Sequence, residues 1–123
     1  MMEGIRRIGV SARHAAEGIL FAVRSQRNFR IHLLAAGGVL LLGKVFGLSP
    51  LEEVLLLLTV SLVLMGELLN TAVELLLNLI EVRDHPVVRV AKDVAAGAVL
   101  LAILGSLGVG WLIFGPHLTA IRP

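Results

Sequence analysis

Apolar positions in this chain form one amphipathic stretch followed by three longer runs. Between residues 5 and 24, Ile5, Ile8, Ala12, Ala15, Ile19, Ala22 and Val23 recur at helical spacing, while Arg6, Arg7, Arg13 and Arg24 lie mostly off that stripe. The pattern predicts a basic amphipathic helix, resting on an anionic membrane surface or packed on the protein's own core. A polar hinge, Arg24-Ser-Gln-Arg-Asn-Phe-Arg30, ends it. Three apolar runs then predict spanning helices over about 29–48, 50–80 and 86–114. Ser49 is placed to cap the second of these, with Pro50 at its first position and Glu52 and Glu53 in its first turn, where the helix dipole favours negative charge. Asp84-His85-Pro86 reads as the turn into the third, and Asp84 is a candidate cap. Gly97, Gly105, Gly108 and Gly110 would let helix backbones approach closely along it.

Composition turns this pattern into a class. Of 123 residues, 57% are hydrophobic and only 16% charged, which fits an all-α integral membrane protein of one domain, 1–123, better than a soluble one. No cysteine is present, so disulfides and thiolate metal sites are excluded. Arginines interrupt the first stretch, so it does not read as a cleaved signal peptide and the whole chain is expected to be mature. The net charge of +2 does not indicate nucleic acid, because the basic residues flank apolar runs and no aromatic-rich basic surface accompanies them. Arg6, Arg7, Arg13, Arg24, Arg27 and Arg30 precede the first span, and Arg83, Arg89 and Lys92 lie between the second and third. Only Lys44 and Arg122 stand against them. The positive-inside rule therefore puts the N-terminus and the second connection in the cytoplasm.

The second span carries an anomaly. Within Gly66–Asn78, the polar residues Glu67, Asn70, Glu74 and Asn78 are spaced to share one helix face, with Thr71 beside them. An acidic residue at the centre of a span costs roughly 2.5 to 3.5 kcal/mol on insertion scales, so two on one face call for partners or a function. Hydrogen-bond glue between helices accounts for Asn70 and Thr71 more readily than for both glutamates. The predicted topology gathers Gln26, Arg27, Asn28 and Arg30 at the same level, with Glu81, Arg83, Asp84, His85, Lys92 and Asp93. Carboxylates for a hard cation, cations for phosphates and one drier carboxylate make a set suited to phosphoryl transfer. Taken singly, each has a plainer reading as a cap, a snorkelling lysine or a topology signal. There is no Walker loop, dinucleotide fingerprint, HExxH zinc spacing or nucleophile elbow.

Three blocks give the chain a resemblance over roughly residues 7 to 115. They are His14-Ala-Ala-Glu-Gly-Ile19 with Arg27-Asn-Phe-Arg-Ile-His32; Glu67-Leu-Leu-Asn-Thr-Ala-Val-Glu74; and His85-Pro86 followed by Ala91-Lys-Asp-Val-Ala-Ala-Gly-Ala98. In these blocks it resembles the prokaryotic diacylglycerol kinase family, particularly the branch that phosphorylates undecaprenol. The resemblance implies a homotrimer of three-span subunits in the bacterial cytoplasmic membrane, each with an N-terminal surface helix, and active sites between subunits. It implies transfer of the γ-phosphate of ATP, with Mg2+, to a lipid hydroxyl. By position, it implies Glu67 as general base and Asn70 and Arg7 with Glu67 as substrate-binding residues. Glu74 and Gln26 are implied as metal ligands. His14, Gln26, Glu74, Arg83, Asp84, His85, Lys92 and Asp93 are implied around the nucleotide. Two positions depart from the family pattern: Gln26 stands where a metal-binding glutamate is usual, and Asn78 where an aspartate is. A carboxamide offers magnesium an oxygen but no charge. Diacylglycerol as acceptor, a proton-coupled transporter with Glu67 as its titrating site, and a catalytically weak scaffold remain open alternatives.

Overall fold

The computed structural model describes residues 1–80 and 84–120. They form four α-helices: α1 (Met2–Ser25), α2 (Arg27–Phe46), α3 (Pro50–Leu79) and α4 (Pro86–Ala120). The last three are long and apolar enough to cross a membrane. Leu34, Leu41, Leu101, Trp111 and Leu112 stand exposed on α2 and α4, as expected of surface that hydrocarbon covers. At 1.5 Å per residue, the 30 residues of α3 span about 45 Å, longer than a hydrocarbon core of roughly 30 Å, so one end reaches beyond it.

The helix ends are set by local chemistry. Between α1 and α2 only Gln26 leaves helical geometry, and the Arg30 guanidinium reaches back to donate to the main-chain oxygens of Val23 and Arg24, each at 3.0 Å. Those last-turn carbonyls have no partner within α1, so Arg30 closes the elbow. Ala22 and Phe29, on either side of it, are 1% and 2% exposed. Elsewhere α1 buries none of its side chains, and Ile5, Ile8 and Ile19 of its apolar stripe are exposed.

α2 ends at Gly47, whose positive φ of 66° lets the amides of Gly47 and Leu48 turn back onto Lys44 and Gly43. Ser49 then caps α3, its hydroxyl accepting from the Glu52 amide at 3.3 Å. At this end of the bundle Leu48, Leu56 and Ile113 form a small apolar core, and the Phe46 ring meets Phe114 edge-on at 5.8 Å. Two polar pairs tie the three helices there: Lys44 with Glu53 at 2.8 Å, and His117 with Glu52 at 3.0 Å. The second pair belongs to a turn that the sequence pattern misses, because α4 continues through Pro116 to Ala120 rather than ending near residue 114. Contacts of His117 with Glu52 and the Phe46 ring hold that extra turn.

α3 is the central element, packed chiefly on α4 and then on α2. Within the chain the close approach expected along the glycines of α4 is not made there: a Cβ at Gly97, Gly105, Gly108 or Gly110 would meet nothing within 4 Å. The approach is made at Gly66 of α3 instead, where a Cβ would stand 3.7 Å from Val99 Cγ2 and 3.9 Å from Val99 Cα.

Candidate functional site

Gly66 brings α4 against α3 one residue before the anomalous carboxylate. Glu67 is 5% exposed and Thr71, one turn on, is also 5% exposed. The Thr71 hydroxyl donates to the Glu67 main-chain oxygen at 2.8 Å, so it satisfies the helix and not the carboxylate. The carboxylate meets a different partner, His32 of α2, whose Nε2 lies 3.2 Å from Glu67 Oε1. His32 belongs to the Arg27–His32 block, whose resemblance implies no role for it. The available signal was its cost: an imidazole inside an apolar run needs a polar partner, and its place in the second turn of α2 matches the depth of Glu67 on the antiparallel α3.

Farther along the same face, Asn70 and Glu74 are half-buried. Seven residues separate Glu67 from Glu74, about 10 Å along the axis. The stripe ends at Asn78, whose Oδ1 accepts from the Lys92 ammonium at 3.1 Å across the α3–α4 gap. Lys92 is thereby held at the outer end of the stripe, about 16 Å along α3 from Glu67. Asp93 beside it is exposed, as are Asp84 and His85 at the start of α4. Asp84 has a positive φ of 64° and does not cap the helix; His85 does, its Nδ1 accepting from the Val87 amide at 3.2 Å. That bond leaves the His85 Nε2 side as the donor.

Several expected members are not gathered here. Arg7 pairs with Glu3 at 3.1 Å and His14 lies 3.4 Å from Glu17, both on the exposed surface of α1 and away from the stripe. Gln26 is half-buried at the elbow, its amide nitrogen 3.4 Å from the Ser25 hydroxyl. Arg83 lies outside the described residues. No group of three or more His, Asp or Glu side chains converges as a metal cage among the described residues. Magnesium held with a nucleotide does not require one, since it keeps several waters and takes one or two carboxylates plus the phosphates. Glu74, partly open to solvent and with no cationic partner among the described residues, fits that donor set; Gln26 adds a neutral oxygen at most.

On the other side of His32, away from Glu74, a cavity of about 430 Å³ runs between α2 and α4 over a floor of α3. His32 forms one end of its wall and Phe114 and Leu118 the other, with Val39, Val63 and Leu107 between. The imidazole thus separates a buried carboxylate from a long apolar cleft.

Residues 13–114 match the family model described as prokaryotic diacylglycerol kinase. An undecaprenol kinase of Bacillus subtilis is 42% identical over 105 residues, covering 85% of each chain. A diacylglycerol kinase of Synechocystis is 39% identical over 113 residues, covering 91% of this chain and 65% of the relative. A diacylglycerol kinase of Pseudomonas aeruginosa is 28% identical over 100 residues, covering 81% of each. The chain belongs to the prokaryotic diacylglycerol kinase family, a family of lipid kinases.

Proposed function

We propose that the chain transfers the γ-phosphate of MgATP to the hydroxyl of a membrane lipid alcohol, with undecaprenol as the first acceptor and diacylglycerol as the second. The similarity to an undecaprenol kinase over most of both chains supports that order. The observation that carries the chemistry is the burial of Glu67 against His32, on the same helix face as the more open Glu74. Glu67 is at a depth where a membrane-dissolved alcohol can reach it; Glu74, nearer water, suits a hydrated cation accompanying the triphosphate.

In this reading the acceptor oxygen bonds to the γ-phosphorus, the bond to the β–γ bridging oxygen breaks, and ADP leaves with that electron pair. The hydroxyl proton passes to the Glu67 carboxylate. Asn70 orients the acceptor or the phosphate, Lys92 and Asp93 contribute to the nucleotide region with Arg83, Asp84 and His85, and α1 brings Arg7 and His14 once a membrane and neighbouring subunits are present. Glu74 would hold the Mg2+ that accompanies the triphosphate, with Gln26 supplying at most a neutral oxygen, and the ion would supply positive charge to the phosphates. The cleft beyond His32 is apolar, in keeping with a hydrocarbon acceptor. α1 rests on the cytoplasmic leaflet, the N-terminus is cytoplasmic, and the subunits form a trimer with shared sites.

Substitution of Glu67 by Gln tests the assignment, because it keeps shape and removes the base. Purified variant in bilayers is expected to fold and bind nucleotide as the parent does, with transfer to undecaprenol reduced by at least about 100-fold, the scale of general-base loss. Undiminished transfer would remove Glu67 from this role. Uptake driven by a pH gradient without ATP consumption would instead favour the transporter reading.

A further inference from the structure

Glu67 reaches its position on three rotatable side-chain bonds, and a base that swings cannot hold a reacting hydroxyl in line. Its carboxylate therefore needs a fixed neighbour. Among the described residues that neighbour is His32: Nε2 stands 3.2 Å from Oε1, with the two side chains 22% and 7% exposed. Thr71 is occupied with the main chain. The two residues come from different helices, and each helix is anchored nearby, α2 by the Arg30 elbow and α3 by the close approach at Gly66. The imidazole is thus placed by the fold within ion-pair distance of the carboxylate.

We propose that His32 is a positioning residue for phosphoryl transfer: it fixes Oε1 of Glu67 and so turns Oε2 toward the acceptor hydroxyl. The inference rests on the reading of Glu67 as the base. His32 keeps its own protons throughout; the acceptor's proton goes to Oε2 while the new phosphorus–oxygen bond forms and the bond to ADP breaks. The asymmetry has a structural sense, because His32 also ends the apolar cleft. An acceptor whose hydrocarbon lies along that cleft presents its hydroxyl past the imidazole, to the carboxylate oxygen that His32 leaves free.

The test separates reach from mere polarity. The amide nitrogen of a glutamine extends to about where Nε2 lies, and that of an asparagine stops near Nδ1, so His32→Gln keeps a polar nitrogen within reach of Oε1 and His32→Asn does not. With purified full-length chain in bilayers, MgATP and undecaprenol, His32→Asn is expected to lower kcat by about 10- to 100-fold, the cost of a misaligned reacting group. KM for ATP should stay within about twofold, and His32→Gln should stay within severalfold of the parent in kcat. Equal activity of the two variants would overturn the proposal, as would a rise in acceptor KM with kcat unchanged, which would make His32 only a wall of the cleft. Glu67→Gln, run in parallel, distinguishes the failures. If Glu67→Gln is inactive and His32→Asn is not, only the role of His32 falls; if Glu67→Gln is active, the base assignment falls first.

Discussion

At the scale of single residues, the two departures that the resemblance leads one to expect, Gln26 and Asn78, are changes of charge more than of shape. Gln26 and Asn78 preserve the length and polarity of the acids expected there, and Asn78 uses its carbonyl to hold Lys92 at 3.1 Å. In the proposed site they add no negative charge to that of Glu74, so a hydrated cation has less to bind. Gln26→Glu is expected to lower the magnesium concentration needed for half-maximal phosphorylation, by about tenfold for each 1.4 kcal/mol of regained attraction. Titration of activity against magnesium checks this, and an unchanged midpoint would mean that another ligand already serves. The sequence made the burial cost of Glu67 evident, because a carboxylate in an apolar helix is conspicuous on any hydropathy scale. His32 was the harder half: its cost in an apolar run and its depth marked it as a candidate partner, but which face α2 turns to α3 depends on the Arg30 elbow and on packing of Phe29, neither of which has a periodic signature.

At the scale of helices, ends with a local chemical cause were legible and contacts between helices were not. Ser49-Pro50-Leu51-Glu52 announced the start of α3, and the hydroxyl does accept from the Glu52 amide. The end of α4 was missed because the apolar run stops at Phe114, whereas the tertiary contact of His117 with Glu52 carries the helix onward through Pro116. Small residues on α4 suggested the close approach, yet α3 supplies the glycine that makes it. A side chain larger than alanine at Gly66 must push α4 away from the stripe. Gly66→Leu is therefore expected to destabilise the chain by about 1 to 3 kcal/mol, while Gly66→Ala, whose methyl would sit in ordinary contact with Val99, is tolerated. Thermal melts in detergent distinguish the two, and equal melting temperatures would show that α3 and α4 do not pack at Gly66 in the membrane.

At the scale of the molecule, the proposal of shared sites starts from how widely one chain spreads the proposed site residues. One subunit holds its Lys92 about 16 Å along α3 from Glu67 and leaves Arg7 and His14 exposed on a helix that buries only Ala22. Shared sites make a measurable prediction. Glu67→Gln and Lys92→Ala chains, each inactive alone, should recover about a quarter of parental activity when mixed one to one before assembly, because a quarter of subunit boundaries then join two intact residues. No recovery would place Glu67 and Lys92 of each site in the same subunit.

The most direct measurement of the central claim is product formation from two acceptors offered together. Purified chain in bilayers, given labelled ATP, magnesium, undecaprenol and diacylglycerol, should yield labelled undecaprenyl phosphate as the main lipid product, identified by mass, and none of it with Glu67→Gln. Predominant phosphatidic acid would exchange the acceptor and keep the kinase. A folded, nucleotide-bound parent that labels neither lipid, or a Glu67→Gln chain that labels undecaprenol as the parent does, would contradict the account.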